Sequence, residues 1–273
     1  MSNTASTPFA RNRAAETAPL GPLTLAVDCG GGSIKSAVCA VDGTLVSAVH
    51  RIPVTYPFPV IQWLDVVGSL LDQANTAGFT IARLSVGLPG MIRGGVVVYT
   101  PHYIRSAGPH TPVDPGIAGQ WNGLRAAPRF KERFGVPAIV VNDSEMHGAA
   151  LITGSGLEVT LTFGTGLGSS HFLDGQLQAH LELSHAQFIE GTTYDQYIGE
   201  HVRLQIGDDA WSFRVVEVVR ALYPVFRWDA VFVGGGNAHN LTPHALETLT
   251  QFGPSVRVVA NRVALSGAAK LWD

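Results

Sequence analysis

The chain has 273 residues, 46% hydrophobic and 14% charged, enough to bury a substantial core in one large domain or two ordinary ones. A formal net charge of −3 gives nonspecific binding to nucleic acid or to an anionic membrane no support, and no apolar run is long enough for a transmembrane helix. The two cysteines, Cys29 and Cys39, make neither a zinc knuckle nor a disulfide framework and read as buried thiols in a reducing cytosol.

Residues 1–22 are rich in Ser, Thr, Ala and Pro without an apolar core, and read as a disordered tail rather than a signal peptide. Residues 23–54 alternate as a three-strand meander, 23–29, 34–41 and 44–52, with the glycine turn Gly30, Gly31, Gly32 after the first strand. An amphipathic helix follows over 60–77, its stripe formed by Ile61, Leu64, Val67, Leu71 and Ala74. Leu84 to Gly90 reads as a buried strand ending in a turn, with Gly95–Tyr99 as a short hairpin partner. Residues 101–120 form a long Pro- and Gly-rich irregular segment anchored mainly by Tyr103, Ile104 and Ile117. A segment of that length predicts a mobile or functional loop. Leu124–Phe134 reads as a helix, Ala138–Val141 as a buried strand, and Asp143 onward as another helix.

The second half opens with a hairpin over 158–183 that repeats the first. An apolar run enters the turn Gly164, Thr165, Gly166, Leu167, Gly168, and a strand leaves it for Asp174-Gly175, as the earlier one runs to Asp42-Gly43. Helices are predicted near 192–205 and 209–223, and Asp229–Val233 as a short strand running into Gly234, Gly235 and Gly236. Residues 257–260 and 263–270 read as strand plus terminal helix. Meander-then-βα halves indicate α/β architecture, with a smaller lobe over 23–155, a larger one over 156–255, and 256–273 packing back on the first.

Glycines let backbone N–H groups approach an anion, so two facing glycine turns suit a chain of phosphates, and the Gly234–Gly236 turn is a third candidate contact. Asp28, at a strand end before three glycines, can hold hydrated Mg²⁺ or simply start the turn. Lys35 is either a cation beside phosphates or an ordinary strand-end lysine. Asn142 and Asp143 emerge where a strand meets a helix; Asp143 can cap that helix or accept a proton from a hydroxyl nucleophile while Asn142 fixes the substrate. Glu182 and His185, three residues apart, can bracket adjacent sugar hydroxyls.

The order of these elements resembles the ROK sugar kinases, closest to their short polyphosphate glucokinase and glucokinase-like branch. The resemblance runs from about Leu23 to the end. It rests on Asp28 to Lys35, Gly87-Leu88-Pro89-Gly90, Val141-Asn142-Asp143, Leu161 to Gly168, Glu182-Leu183-Ser184-His185 and Phe232 to Asn237. It implies a two-lobed actin-like ATPase fold of ribonuclease H type with a central cleft, and a cytoplasmic Mg²⁺-dependent hexose kinase. Asp143 would be the base for the sugar 6-hydroxyl, and Asn142, Glu182 and His185 would hold other hydroxyls. Asp28, Gly30, Gly31, Gly32, Ser33 and Lys35 would serve the phosphates, with Asp28 reaching Mg²⁺ through water. Gly164, Thr165, Gly166 and Gly168 would also serve the phosphates, and Gly234, Gly235 and Gly236 would lie beside the nucleotide.

Several residues depart from the family pattern. Gly32 replaces the usual Thr or Ser, Ser184 replaces a Gly, and Ser144, Glu145, Met146 and His147 bring bulk and charge where small residues are usual. The zinc-binding cysteine cluster of longer members is missing, so no structural zinc is expected, nor can a 22-residue tail supply a DNA-binding domain. ATP is the favoured donor over polyphosphate, because Asp195, Glu200, Asp208 and Asp209 outnumber Arg203 and Arg214 after His185. A non-catalytic sugar sensor of the same fold is the competing reading, and a homodimer is left open.

Overall fold

A computed structural model describes residues 9–19, 21–108, 111–251, 256–259 and 264–273. The chain divides into two compact units, Met1–Ala150 with Ala264–Asp273, and Leu151–Val263.

The first unit contains β1 (Leu23–Cys29), β2 (Ser33–Cys39), β3 (His50–Pro53), α1 (Val60–Thr76), β4 (Ile81–Leu88), β5 (Met91–Arg93) and β6 (Val96–Tyr99). It continues with α2 (Pro115–Trp121), β7 (Leu124–Arg125), α3 (Ala126–Phe134), β8 (Ala138–Asn142) and α4 (Asp143–Ala149). The main sheet runs β3-β2-β1-β4-β8. β1 and β2 pair antiparallel, while β1, β4 and β8 are parallel. Parallel strands covered on both faces need continuous apolar runs, and β4 supplies one, buried from Leu84 to Leu88. Asp28 pairs with Gly87 and Gly87 with Val141, so three strands end on one edge, the edge at which open α/β sheets bind ligands.

α1 buries Trp63, Leu64, Val67, Leu70, Leu71 and Ala74, whereas Ile61 of the expected stripe is 57% exposed, the buried face having turned toward Trp63 and Leu70. Trp63 packs edge-on against Phe130 at 4.7 Å and lies 5.2 Å from Trp121. Those rings explain a departure in 101–120. Tyr103 and Ile104 are buried, Arg105 bridges to Val113, and α2 carries Trp121 into the core, so the segment is an anchored excursion; residues 109–110 lie outside the described residues. The N-terminal expectation also needs correction. Residues 1–8 and 20 lie outside the described residues, but Phe9 is 1% exposed and the Asn12 amide donates to Leu45 O at 2.7 Å. A buried ring and backbone hydrogen bonds offset the ordering entropy that a polar tail alone would not.

The second unit contains β9 (Leu157–Phe163), β10 (Leu167–Leu173), β11 (Gln176–Leu177), β12 (Gln187–Ile189), β13 (Thr192–Thr193), α5 (Tyr194–Ile198), α6 (Glu200–Phe226), β14 (Ala230–Gly234), α7 (Pro243–Gln251) and β15 (Val256–Val258). Its sheet runs β11-β10-β9-β14-β15, with β9, β14 and β15 parallel. The β9–β10 hairpin thus repeats β1–β2 down to the parallel neighbour of its first strand. The predicted helix over 192–205 begins instead as the β12–β13 hairpin, and α6 breaks at Gly207, whose φ is 82°. Residues 256–258 complete this second sheet rather than returning to the first unit. Only the terminal helix Ala264–Lys270 packs there, with the Ser85 hydroxyl donating to Ala268 O at 2.7 Å. Among the described residues no helix is long and apolar enough to cross a membrane.

Candidate active site

In the first unit the glycine turn is held by its carbonyls. The hydroxyl of Tyr103 donates to Gly30 O at 3.0 Å, that of Tyr56 to Gly31 O at 2.7 Å, and the Val54 N–H to Gly32 O at 3.1 Å. Burial pushes Tyr56 up to about 12 and Tyr103 well above the usual phenol range, so both remain donors at neutral pH. Gly30 N–H is already taken by Ser33 O at 3.0 Å, so the amides that this glycine turn could offer an anion lie beyond Gly30. Asp28 and Lys35, paired across the hairpin, form an ion pair at 3.3 Å. Both cysteines are buried; burial raises the Cys29 thiol far above its usual range and pushes Cys39 up to about 12, so neither is a thiolate nucleophile.

Beside this turn, the strand-to-helix junction resolves the question of the cap. Asn142 is the N-cap of α4, accepting from Ser144 N–H at 2.8 Å, and the Glu145 carboxylate accepts from Asn142 N–H at 2.8 Å, completing a capping box. Asp143 is therefore the first helical residue, not the cap. The Asn142 amide also donates to Gly90 O at 2.7 Å and to Leu88 O at 3.4 Å. Gly87 is required here by close approach, since a Cβ on it would lie 3.2 Å from the Asp143 Cα and 2.9 Å from Met146 Cε. Asp28, at the end of β1, and Asp143, just past the end of β8, thus stand on the same strand-end edge, and the charges of both act on Cys29 and Tyr103.

In the second unit the turn from Gly164 to Gly168 and the turn from Gly234 to Gly236 are joined. Asn237 N–H donates to Phe163 O at 2.8 Å and its side-chain amide to Gly164 O at 3.1 Å. Gly235 has φ +95° and lies so close to Phe163 that a Cβ would fall 2.4 Å from the Phe163 nitrogen. Glu182 precedes the short 3-10 turn Leu183–His185. Burial would raise its carboxyl, but the neighbouring His180, the hydrogen bond from Ser184, and charge at His180 and His185 outweigh burial and hold it below the usual range.

Two groups escaped the sequence reading as site residues. Asp195 accepts from Leu167 N–H at 2.7 Å, beneath the glycine turn, and interacts electrostatically with Glu182 and His185. Burial pushes it up, Leu167 opposes, and the Glu182 charge adds. In the sequence it counted only among the acidic residues after His185; in the structure it is also a first-turn acid behind the Thr193 cap of α5. His147, one helical turn beyond Asp143, is 4% exposed and its Nε2 has no hydrogen-bond partner among the described residues. Burial holds the imidazole below its ordinary range, with Asp28 opposing and Lys35 adding.

No family model matches the chain. It is 28% identical over 220 residues to a polyphosphate glucokinase of Mycobacterium leprae, across 77% of this chain and 62% of that protein. It is 26% identical over 255 residues to a polyphosphate glucokinase of Mycobacterium tuberculosis, across 89% of this chain and 88% of the relative. Among solved structures, the inorganic polyphosphate/ATP-glucomannokinase from Arthrobacter sp. superposes with a TM-score of 0.72 at 23% identity, covering 91% and 97%. A ROK family glucokinase from Streptomyces griseus, solved with glucose and AMPPNP, gives 0.68 at 18% identity, covering 91% and 98%. The chain is similar in sequence to polyphosphate glucokinases and in fold to ROK sugar kinases. The expected actin-like ATPase fold is thereby shown. The match to the first of these relatives spans about three-fifths of its length.

Proposed function

We propose that this chain is a hexose kinase, transferring a phosphoryl group from ATP to the 6-hydroxyl of glucose or a related hexose. The names of its ROK relatives support that class. The observation that carries the mechanism is the junction at Asn142 and Asp143. With Asn142 capping α4 and Glu145 closing the box, the Asp143 carboxylate is not needed as the cap and can act as base at the strand-end edge it shares with Asp28. The sugar oxygen attacks the terminal phosphorus, the bond to the leaving phosphate breaks, and the hydroxyl proton passes to Asp143. Such chemistry needs positioning and charge stabilisation more than covalent catalysis.

Glu182, His185 and Asp195 would hold sugar hydroxyls, and Asn142 would contact one through the N–H that now reaches Leu88 at 3.4 Å. The turns at Gly30–Ser33 and Gly164–Gly168, with Lys35, would receive phosphates, and Gly234–Gly236 the nucleotide. Among the described residues no cluster of three or more His, Cys, Asp or Glu could hold a metal by itself. The largely buried Asp28 carboxylate, paired with Lys35 at 3.3 Å, fits hydrated Mg²⁺, which keeps several waters, needs only one or two carboxylates and shares substrate phosphates. When bound, that ion would neutralise phosphate charge.

For the donor, Arg203 pairs with Asp208 at 2.8 Å, and Arg214 donates to Tyr197 O at 3.0 Å, so neither adds to a basic track for polyphosphate. Polyphosphate stays as a second reading because the named relatives use it in their names. Two buried thiols suit a cytoplasmic location. Replacing Asp143 by Asn tests the mechanism. The amide can still accept from Ser144 N–H, so stability should hold while kcat falls about 10²–10⁴-fold. Near-wild-type turnover would remove Asp143 as the base.

A further inference from the structure

Glu182 is gripped by its own neighbours on both sides. The Ser184 hydroxyl donates to Glu182 Oε1 at 2.6 Å, and His180 Nε2 lies 3.5 Å from Oε2. The His180 side chain is 2% exposed and that of Glu182 16%, while Ser184 is 5% exposed. The intervening backbone is tied down as well, since the Ser169 hydroxyl on β10 donates to Leu181 O at 3.4 Å. Each carboxylate oxygen thus has a partner two residues away, one before and one after it in the chain. A glycine at 184, the usual residue of the resembled pattern, would offer no hydroxyl.

We infer that His180 and Ser184 form a clamp that fixes Glu182, before substrate arrives, as an acceptor for the sugar. The inference rests on the proposed kinase reading and deepens it by naming two positioning residues for hexose recognition. A free Glu side chain loses rotamer freedom on binding, and a fixed one has lost it already, so the clamp lowers the cost of capture. A fixed carboxylate also serves hydroxyls in one arrangement only, which makes the clamp a selector among hexose epimers. The other charged groups facing Glu182 are His185 on its own turn and Asp195 on α5, with His201 behind Asp195. Asp195 opposes ionisation of Glu182, so the clamp and His185 together keep it an acceptor into the acid range.

The test compares wild type with Ser184→Ala, Ser184→Thr and His180→Asn. Glucose affinity is measured by calorimetry, and glucose KM and kcat are followed across the acid limb of the pH profile. Loss of either clamp residue should raise glucose Kd and KM about three- to tenfold, with a smaller effect on kcat. It should also move the acid limb of 1/KM to higher pH, and Ser184→Thr should restore both. A soluble Ser184→Ala protein with unchanged Kd and an unmoved acid limb overturns the clamp, and that variant decides alone if His180→Asn is insoluble. If wild type binds glucose without phosphorylating it, the kinase reading fails while calorimetry still judges the clamp. If wild type turns over and Ser184→Ala matches it, the clamp fails alone. Wild type that binds none of glucose, mannose and N-acetylglucosamine overturns both.

Discussion

Replacing Gly235 by Ala probes the junction of the two glycine turns in the second unit. An added Cβ would stand 2.4 Å from Phe163 N, 2.5 Å from Phe163 O and 2.9 Å from Phe163 C, all backbone atoms of a central strand. The backbone there has φ +95°, which costs an L-residue about 1–3 kcal/mol, and forced overpacking adds about 1–3 kcal/mol. Together these give roughly 2–6 kcal/mol, or about 4–24 °C in Tm at about 2–4 °C per kcal/mol. Relief requires β14 to pull away from β9, which also displaces Asn237 from Gly164 and should weaken ATP binding. Gly164→Ala is the matched control for the melting measurement alone, because a Cβ there meets nothing within 4 Å. The assay is thermal unfolding by circular dichroism, with ATP affinity measured on each variant. Gly235→Ala melting with wild type and binding ATP equally would refute the packing of the two turns.

Gly32→Ser should restore the hydroxyl usual in the resembled turn without strain, since a Cβ at Gly32 meets nothing within 4 Å; a lower donor KM at unchanged Tm is expected. His147 is buried with its imidazole held below its ordinary range, so the unfolded chain binds the proton more readily than the folded one. Its contribution is complete above about pH 6.5 and is lost as pH falls toward the lowered folded value. Unfolding midpoints measured between neutral and mildly acidic pH should therefore drop less for His147→Ala than for wild type, and equal drops would count against this assignment.

Much of the fold was legible because its signals are local. Apolar runs marked β1, β9 and β14, the stripe from Leu64 to Ala74 marked α1, and the glycine turns marked the ends of both first hairpins. What escaped depends on distant partners. Phe9 is ordinary in a polar tail until the core receives it, and 101–120 reads as loose until the adjoining Trp121 meets Trp63. The site shows the same division. Asp28, Asp143, Glu182 and the glycines stand in ordered motifs, whereas Asp195, His147 and His180 gain significance only beside Leu167, Asp28 and Glu182. The cap was ambiguous for a related reason, since only the Glu145 hydrogen bond to Asn142 N–H distinguishes Asn142 from Asp143 as the capping residue.

The central claim is that the chain transfers phosphate to a hexose, with ATP as donor. A coupled assay of the wild-type protein, crossing glucose, mannose and N-acetylglucosamine with ATP and polyphosphate at millimolar Mg²⁺, measures it most directly. The account predicts 6-phosphate formation from at least one hexose, faster with ATP than with polyphosphate. Turnover with polyphosphate alone would overturn the donor assignment. Tight glucose binding without turnover from either donor would contradict the kinase and leave a sugar sensor.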